Sequence, residues 1–289
     1  MNLQPTTMKS CVLLAAGALG LPALGQSYEH SYQYAYGSPA QFDMIGPATE
    51  GNSNGDALLQ SVTMPNGEVY EEFYRPVSIS HFSYAGNANN FKALAGSDCT
   101  VGVNTTIALK NVDGNGSKNA SEADLAGMPE HILNVLETEN LNNYIDTSTN
   151  DGWEFVMKFD LPLKDNDEDP DDFGELLYFE RGDGGGNSWM TFLAVDENNV
   201  PLPGATPLAV SPTETVLTTP RTVLSGGQDM GAVAIDLSRL GVSETTYLRV
   251  MRSESGVGGY TSGEVKADFK IMAVITHPEQ LTKRNALYD

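Results

Sequence analysis

The stretch TTYLRVMR, residues 245–252, carries the residue pattern that decides the fold of this chain. Leu248 and Val250 alternate with Tyr247 and Arg249, so an extended backbone would turn the two aliphatic side chains to one face and the other two to the opposite face. That period of two predicts a β-strand with one buried face. The same style recurs in WEFVMKFDL (153–161), ELLYFERG (175–182), SWMTFLAV (188–195), GAVAIDL (231–237) and VKADFKIMAVI (265–275).

Turn-rich stretches, and no helical patterns, separate these strands. Asp196–Asn199 is predicted as the tip of a hairpin. Strands at this spacing predict a mainly β chain folded as an antiparallel, jelly-roll-like β-sandwich. One short helix is expected around residues 129–140, where Ile132, Leu133 and Leu136 recur at helical spacing and Pro129 suits a first turn.

The chain is expected to have one β domain behind an export signal. Lys9 precedes the apolar run CVLLAAGALGLPALG, and this pattern is typical of a cleavable signal peptide. The predicted organisation is a signal peptide at 1–25, an irregular segment at 26–54, a β-sandwich at 55–276 and a polar tail at 277–289.

Charge excludes some classes of partner. The sequence has 38 acidic and 16 basic residues, a formal net charge of −22. Nucleic acid needs a positive field on the protein, and an anionic membrane surface would repel this chain. We therefore expect no nucleic-acid partner. We also expect no membrane span once the signal is removed, because the signal run itself is too short for one and the C-terminal stretch is polar.

Twelve residues, DGNGSKNASEAD (113–124), have the ligand rhythm of an EF-hand calcium loop. Lys118 stands where that loop has glycine, and Asp124 stands where it has glutamate. The alternative is a solvated loop in which Ser121 caps the following helix. The candidate ligands are Asp113, Asn115, Ser117, Asn119 and Asp124.

A second acidic segment, KDNDEDPDDFGE (164–175), crowds carboxylates between two predicted strands. Their mutual repulsion would be relieved by a divalent cation, and calcium is the one cofactor that the sequence indicates. The alternative is a solvated acidic loop turned outward by Pro170. The candidate ligands here are Asp165, Asp167, Asp169, Asp171 and Asp172.

A third candidate site is ERGDGGGNSW (180–189), where glycines would let a ligand approach the backbone. An exposed tryptophan with polar neighbours is a usual way to hold a sugar, whereas a buried one would belong to the core. The candidate ligand-binding residues are Glu180, Arg181, Asp183, Asn187 and Trp189. No catalytic set is predicted, because the four histidines are scattered and nothing singles out a carboxylate pair.

Five strings in order, GDALLQSVTM (55–64), NLNNYIDT (140–147), LLYFERGDGGGNSWMTFLAVDENNVPL (176–202), GAVAIDLSRLGVS (231–243) and ADFKIMAVI (267–275), resemble the exosortase-dependent surface proteins of the second type. The resemblance implies an exported, β-rich bacterial protein of the cell surface or extracellular matrix. Typical members end in a Pro-Glu-Pro motif, an apolar helix and a basic cluster. Here Pro278 and Glu279 are followed by no apolar helix, so we expect free secretion or non-covalent retention.

The sequence therefore predicts an exported, non-enzymatic surface or matrix protein, with extracellular polysaccharides or other surface proteins as partners. Two alternatives stay open, a carbohydrate-binding module on the same sandwich and a secreted polysaccharide hydrolase. Exposed aromatic rings would favour the module, and two facing carboxylates in a cleft would favour the hydrolase.

Overall fold

The architecture comes from a computed structural model of the chain. It describes residues 41–45, 58–63, 69–85, 91–95, 107–111, 122–139, 141, 143–147, 152–165, 174–181, 189–210, 230–252 and 267–288.

Within these ranges the chain forms fifteen strands and two α-helices. The strands are β1 (Gln41–Ile45), β2 (Leu58–Thr63), β3 (Val69–Tyr70), β4 (Phe73–Tyr74), β5 (Pro76–Ala85), β6 (Phe91–Ala95), β7 (Ile107–Asn111), β8 (Tyr144–Thr147), β9 (Gly152–Lys164), β10 (Leu176–Arg181), β11 (Met190–Val195), β12 (Leu208–Val210), β13 (Met230–Ile235), β14 (Glu244–Arg252) and β15 (Ala267–Val274). The helices are α1 (Glu122–Leu136) and α2 (Pro278–Tyr288), and a 3-10 helix spans Leu237–Leu240.

The strands form three antiparallel sheets. A five-stranded sheet has the order β12-β11-β14-β9-β5, and a seven-stranded sheet has the order β13-β10-β15-β8-β6-β7, with β4 paired to β15. The third sheet is β1-β2-β3. From β9 to β15 the chain crosses between the two larger sheets at every connection except β11 to β12. The predicted mainly β fold with an antiparallel, sandwich-like arrangement is confirmed.

Aromatic rings join the two larger sheets across one core. Trp153 of β9 stacks on Phe269 of β15 with ring centroids 5.3 Å apart. Tyr178 of β10 meets Phe192 of β11 edge-on at 5.8 Å. Since each pair takes one ring from each sheet, we refer to these four side chains and their buried neighbours as the aromatic interior. The rings are buried because strand alternation turns them inward, as the pattern of β14 predicts for Leu248 and Val250.

The predicted helix is confirmed, but α1 begins at Glu122 and ends at Leu136, earlier at both ends than the predicted 129–140. Pro129 lies inside the helix, where it removes one backbone hydrogen bond. The helix tolerates this loss because Met128, Ile132 and Val135 bury one face in the core. The predicted tail contains α2, whose Pro278 stands at the first helical position and suits it. Its weak apolar pattern had not indicated a helix.

Two smaller features follow from local chemistry. The predicted hairpin tip at Asp196–Asn199 is confirmed, since Asp196 N donates to Val200 O at 2.8 Å and Val195 bridges Pro201. Buried Lys270 of β15 donates from Nζ to Val135 O at 2.8 Å, and so ties the last turn of α1 to the seven-stranded sheet. A cation is favourable at a helix C-terminus.

Candidate metal centre at the acidic end of the sandwich

Three carboxylates come together at one end of the sandwich. Asp165 directly follows β9, Glu175 directly precedes β10, and Asp236 directly follows β13. One ligand oxygen from each lies within 4.8 Å of the other two. Glu175 and Asp236 are buried, with 0% and 1% of their surfaces exposed, whereas Asp165 is half-buried. We call these three residues the acidic triad.

Glycine and strand register bring two members of the triad together. Leu176 of β10 pairs with Ile235 of β13, so the adjoining residues Glu175 and Asp236 leave their strands side by side. Gly174 lies so close to β13 that an added Cβ would sit 2.5 Å from Ile235 N. Such a contact is closer than van der Waals radii allow, so only glycine lets the backbones approach this closely.

Backbone N–H groups orient both buried carboxylates. Glu175 Oε2 accepts a hydrogen bond from Leu237 N at 3.1 Å. Asp236 Oδ1 accepts one from Ser238 N at 2.6 Å, which makes Asp236 the N-cap of the 3-10 helix. A carboxylate that accepts from the first turn of a helix is held in one direction. The N–H groups at the start of the 3-10 helix therefore fix the direction of both buried carboxylates of the triad.

The spacing of the triad suits a calcium ion. Calcium binds oxygen atoms at about 2.3–2.6 Å, so two oxygens on one ion lie no more than about 5 Å apart. The 4.8 Å limit on the triad meets this condition. Two unit charges about 5 Å apart also repel by roughly 3 kcal/mol at an effective dielectric constant of about 20, and a divalent cation would reverse that cost.

Two further polar groups at this end are buried without a hydrogen-bond partner in the part of the chain that the structure describes. They are the hydroxyl of Tyr74 and both amide atoms of Gln280, in side chains that are 2% and 1% exposed. Burial raises the pKa of Tyr74 above its usual range, and the charges of Asp160, Glu279, Glu175 and Glu244 raise it further. Strand pairing places Tyr74 at the same end, because Tyr74 pairs with Ala273 of β15 and Ala273 pairs with Leu176, the residue after Glu175.

The start of α2 packs on the strand end that carries Asp165. His277 Nε2 lies 2.9 Å from Asp165 O, and Lys164 Nζ lies 3.4 Å from Glu279 Oε1. The backbone N–H of Glu279 lowers the pKa of its own carboxyl, and Lys164 and His277 lower it further. Lys164 of β9 and Glu279 of α2 thus form an ion pair beside the triad.

Of the predicted metal ligands, only Asp165 is seen in the triad. Asp167, Asp169, Asp171 and Asp172 lie outside the described residues, as do Asp113, Asn115, Ser117 and Asn119 of the EF-hand-like loop. Asp124 lies in the first turn of α1, and its side chain is not among those described. The calcium prediction for the EF-hand-like loop therefore stays a prediction.

The proposed sugar-binding segment requires a correction at Trp189. Trp189 is only 5% exposed, because it directly precedes β11, a strand in which every residue is buried. A ring buried in this way has no face for a sugar to stack on. Glu180 is also buried, at the end of β10. The side chain of Arg181, and Asp183 and Asn187 entirely, lie outside the described residues.

Sequence reasoning missed three of the groups at this end, Asp236, Tyr74 and Gln280. Asp236 carried one usable signal, since it directly follows the apolar run GAVAI, where a strand ends and polar side chains collect. Glu175 was seen within the acidic segment but was not proposed as a ligand. Tyr74 and Gln280 carried no signal, because neither motif nor periodicity marks them.

Comparisons of the sequence with protein-family models, with curated proteins and with solved structures find no significant match. Among the described helices, none combines the length and the apolar character needed to cross a bilayer.

Proposed function

We propose that this chain is an exported, non-enzymatic structural protein of a bacterial cell surface or extracellular matrix, and that calcium at the acidic triad ties its two sheets together. The observation that carries the proposal is the origin of the three carboxylates. Asp165 extends β9 of the five-stranded sheet, whereas Glu175 and Asp236 flank β10 and β13 of the seven-stranded sheet. One cation bound to all three would cross-link the sandwich at its end.

Sequence features support the extracellular part of the proposal. The apolar run behind Lys9 has the form of an export signal, and a net charge of −22 suits a soluble protein outside the cell. Extracellular calcium modules have dissociation constants of about 10⁻⁴–10⁻³ M, a range that three carboxylates can serve. The resemblance to exosortase-dependent surface proteins points to the same location, with surface proteins or polysaccharides as partners.

The burial of the triad favours a structural role over hydrolysis. Retaining glycosidases hold two carboxyl groups about 5 Å apart, a spacing close to that of the triad. A glycosidic oxygen must reach both groups, yet Glu175 and Asp236 are 0% and 1% exposed. The structure also gives little support to sugar binding, because every aromatic side chain that it describes is buried or half-buried.

The experiment is thermal unfolding of the chain without residues 1–25, in about 10 mM calcium and in chelator. With a dissociation constant near 10⁻⁴ M, calcium should stabilise the fold by about 2.7 kcal/mol, a rise in Tm of about 5–10 °C. Asp236→Asn should abolish the rise. Glu197→Gln, which removes an exposed carboxylate from the β11 hairpin, is the matched control and should keep it.

Two results would contradict the proposal. If calcium does not change the Tm and a metal analysis of the purified chain finds no calcium, the proposed calcium site is contradicted. Fractionation of the producing cells should find the chain in the medium or on the surface. Recovery from the cytoplasm would contradict the export and the structural role together.

A further inference from the structure

The C-terminal helix α2 lies against the acidic triad through its first turn. His277 directly precedes α2, and its Nε2 lies 2.9 Å from the carbonyl oxygen of Asp165, a triad residue. The hydroxyl of Thr276 donates to Lys164 O at 3.3 Å, and Lys164 Nζ reaches Glu279 Oε1 at 3.4 Å. These contacts hold the start of α2 on the end of β9.

Gln280 faces the body of the protein from this first turn. Its backbone N–H donates to His277 O at 2.9 Å, and its side chain is 1% exposed. Neither Oε1 nor Nε2 has a hydrogen-bond partner in the described part of the chain. More than about 90% of buried polar groups in native proteins are satisfied, and the exceptions are explained by strain, by a functional role, or by a water or ion. The buried amide therefore has hydrogen-bonding and ligand capacity that no described residue uses.

Tyr74 links the environment of α2 to the triad. Its hydroxyl is buried, lacks a hydrogen-bond partner among described residues, and experiences the charges of Glu175 in the triad and Glu279 in α2. The segment that leads from the end of β15 into α2 also contacts two residues of the triad, because Val274 N donates to Glu175 O at 2.8 Å and His277 Nε2 lies 2.9 Å from Asp165 O. Tyr74 pairs with Ala273 at one end of this segment, and Gln280 N donates to His277 O at the other, so both buried polar side chains belong to residues that contact it.

We propose that α2 closes the cation site and that Gln280 supplies its amide oxygen as a further ligand to the same calcium ion. This inference rests on the proposed function and extends it, because calcium would strengthen the docking of the C-terminal helix that these contacts begin. Amide carbonyl oxygens are ordinary calcium ligands beside carboxylates. The amide nitrogen would turn toward a carboxylate or a water of the same shell, so both orphaned atoms would be satisfied.

Calcium titration of the chain without residues 1–25, by isothermal calorimetry, tests the assignment. Gln280→Leu should weaken calcium binding at least tenfold, because it removes a ligand and leaves the triad intact. Gln280→Glu should bind as tightly as the wild type or more tightly, since it offers a charged oxygen. Asn285→Leu is the matched control, an exposed position on the same helix, and should bind like the wild type.

Limited trypsin digestion gives a second measurement at Lys283 of α2. Calcium should slow cleavage there at least fivefold in the wild type and should have little effect in Gln280→Leu. If the wild type binds calcium and both Gln280 variants bind it with unchanged affinity, α2 is not part of the site and the triad stands alone. If the wild type binds no calcium, the inference and the proposed cation both fall.

Discussion

The aromatic interior and the acidic triad are built from opposite parts of the same strands. The interior takes its rings from within strands, as with Trp153 of β9 and Phe269 of β15. The triad takes its carboxylates from just beyond strand ends, at Asp165, Glu175 and Asp236. Alternation along a strand is enough to decide which face of the sheet a ring occupies. The neighbours of a residue at a strand end depend instead on which strands lie side by side. The packed rings of the interior therefore stabilise the fold without a ligand. The carboxylates of the triad, which repel one another, are expected to stabilise it only when a cation is bound.

The largest expected effect comes from opening the interior. Phe269→Ala removes a fully buried ring that stacks on Trp153 at 5.3 Å and meets Tyr178 at 6.5 Å. We expect a loss of about 3–5 kcal/mol in the free energy of unfolding, equal in calcium and in chelator. Urea denaturation measures it, and Val77→Ala at an exposed position should cost less than about 0.5 kcal/mol. A loss that calcium reverses would break the distinction between the two regions.

A smaller effect is expected at the point where the triad meets the sheet. Gly174→Ala would set a Cβ 2.5 Å from Ile235 N, so Glu175 must move away from Asp236. We expect a loss of about 1–3 kcal/mol, together with loss of the calcium-dependent rise in Tm. The control is Gly152→Ala, where an added Cβ meets nothing within 4 Å. A calcium response that survives in Gly174→Ala would mean that the triad does not bind the ion.

Tyr74→Phe should give an effect of opposite sign. In chelator it removes a buried hydroxyl that lacks a partner in the described ranges and keeps the edge contact with Phe159, so the free energy of unfolding should rise by up to about 1 kcal/mol. The raised pKa of Tyr74 also predicts a pH effect. Above pH 10.0, the ordinary pKa, the unfolded chain would ionise there while the folded chain stays protonated.

The wild type should therefore lose more stability than Tyr74→Phe as the pH rises above 10, and the difference between them should be constant below it. Denaturation at pH 8 and pH 10.5 measures both. Parallel loss in the two proteins would show that the hydroxyl does not lie among the carboxylates.

The smallest expected effect concerns the contact between α2 and β9. The pKa of Glu279 is lowered in the folded chain, so its contribution is present above its ordinary value of 4.5 and is lost as the pH falls through the lower folded value. Hydrogen exchange in chelator should show the α2 amides exchanging faster below pH 4.5 relative to those of β15. Glu279→Gln should remove this extra acceleration. An identical pH response in both proteins would contradict the sign.

Sequence reasoning recovered the elements with a strong local pattern. The strands around Trp153, Tyr178 and Phe192 were predicted from strand-like runs between turn-rich stretches, and the hairpin tip at Asp196 was predicted from its polar residues. It placed the start of α1 too late, because a proline suits a first helical turn, whereas here Pro129 lies inside the helix and Met128 before it packs in the core. It left open whether Trp189 is a surface ring among polar neighbours or a core ring, and the structure places it in the core, before a strand that is buried on both faces.

The candidate site was predicted in part. Asp165 was proposed from the density of charge around it, which is a local property. Asp236 lies more than sixty residues farther along the chain and joins Glu175 only through the register of β10 on β13. No spacing in the sequence carries that information.

By itself the sequence determined a mainly β chain, the inward faces of its strands and the acidity of one connecting loop. These follow from periodicity and composition, which act between neighbours along the chain. The tertiary structure alone decided that Asp165, Glu175 and Asp236 meet, that Gly174 must admit no Cβ, and that α2 brings a buried amide to the same end. The physical reason is that sheet register and strand order set distances between residues far apart in sequence, and local propensity has no bearing on them.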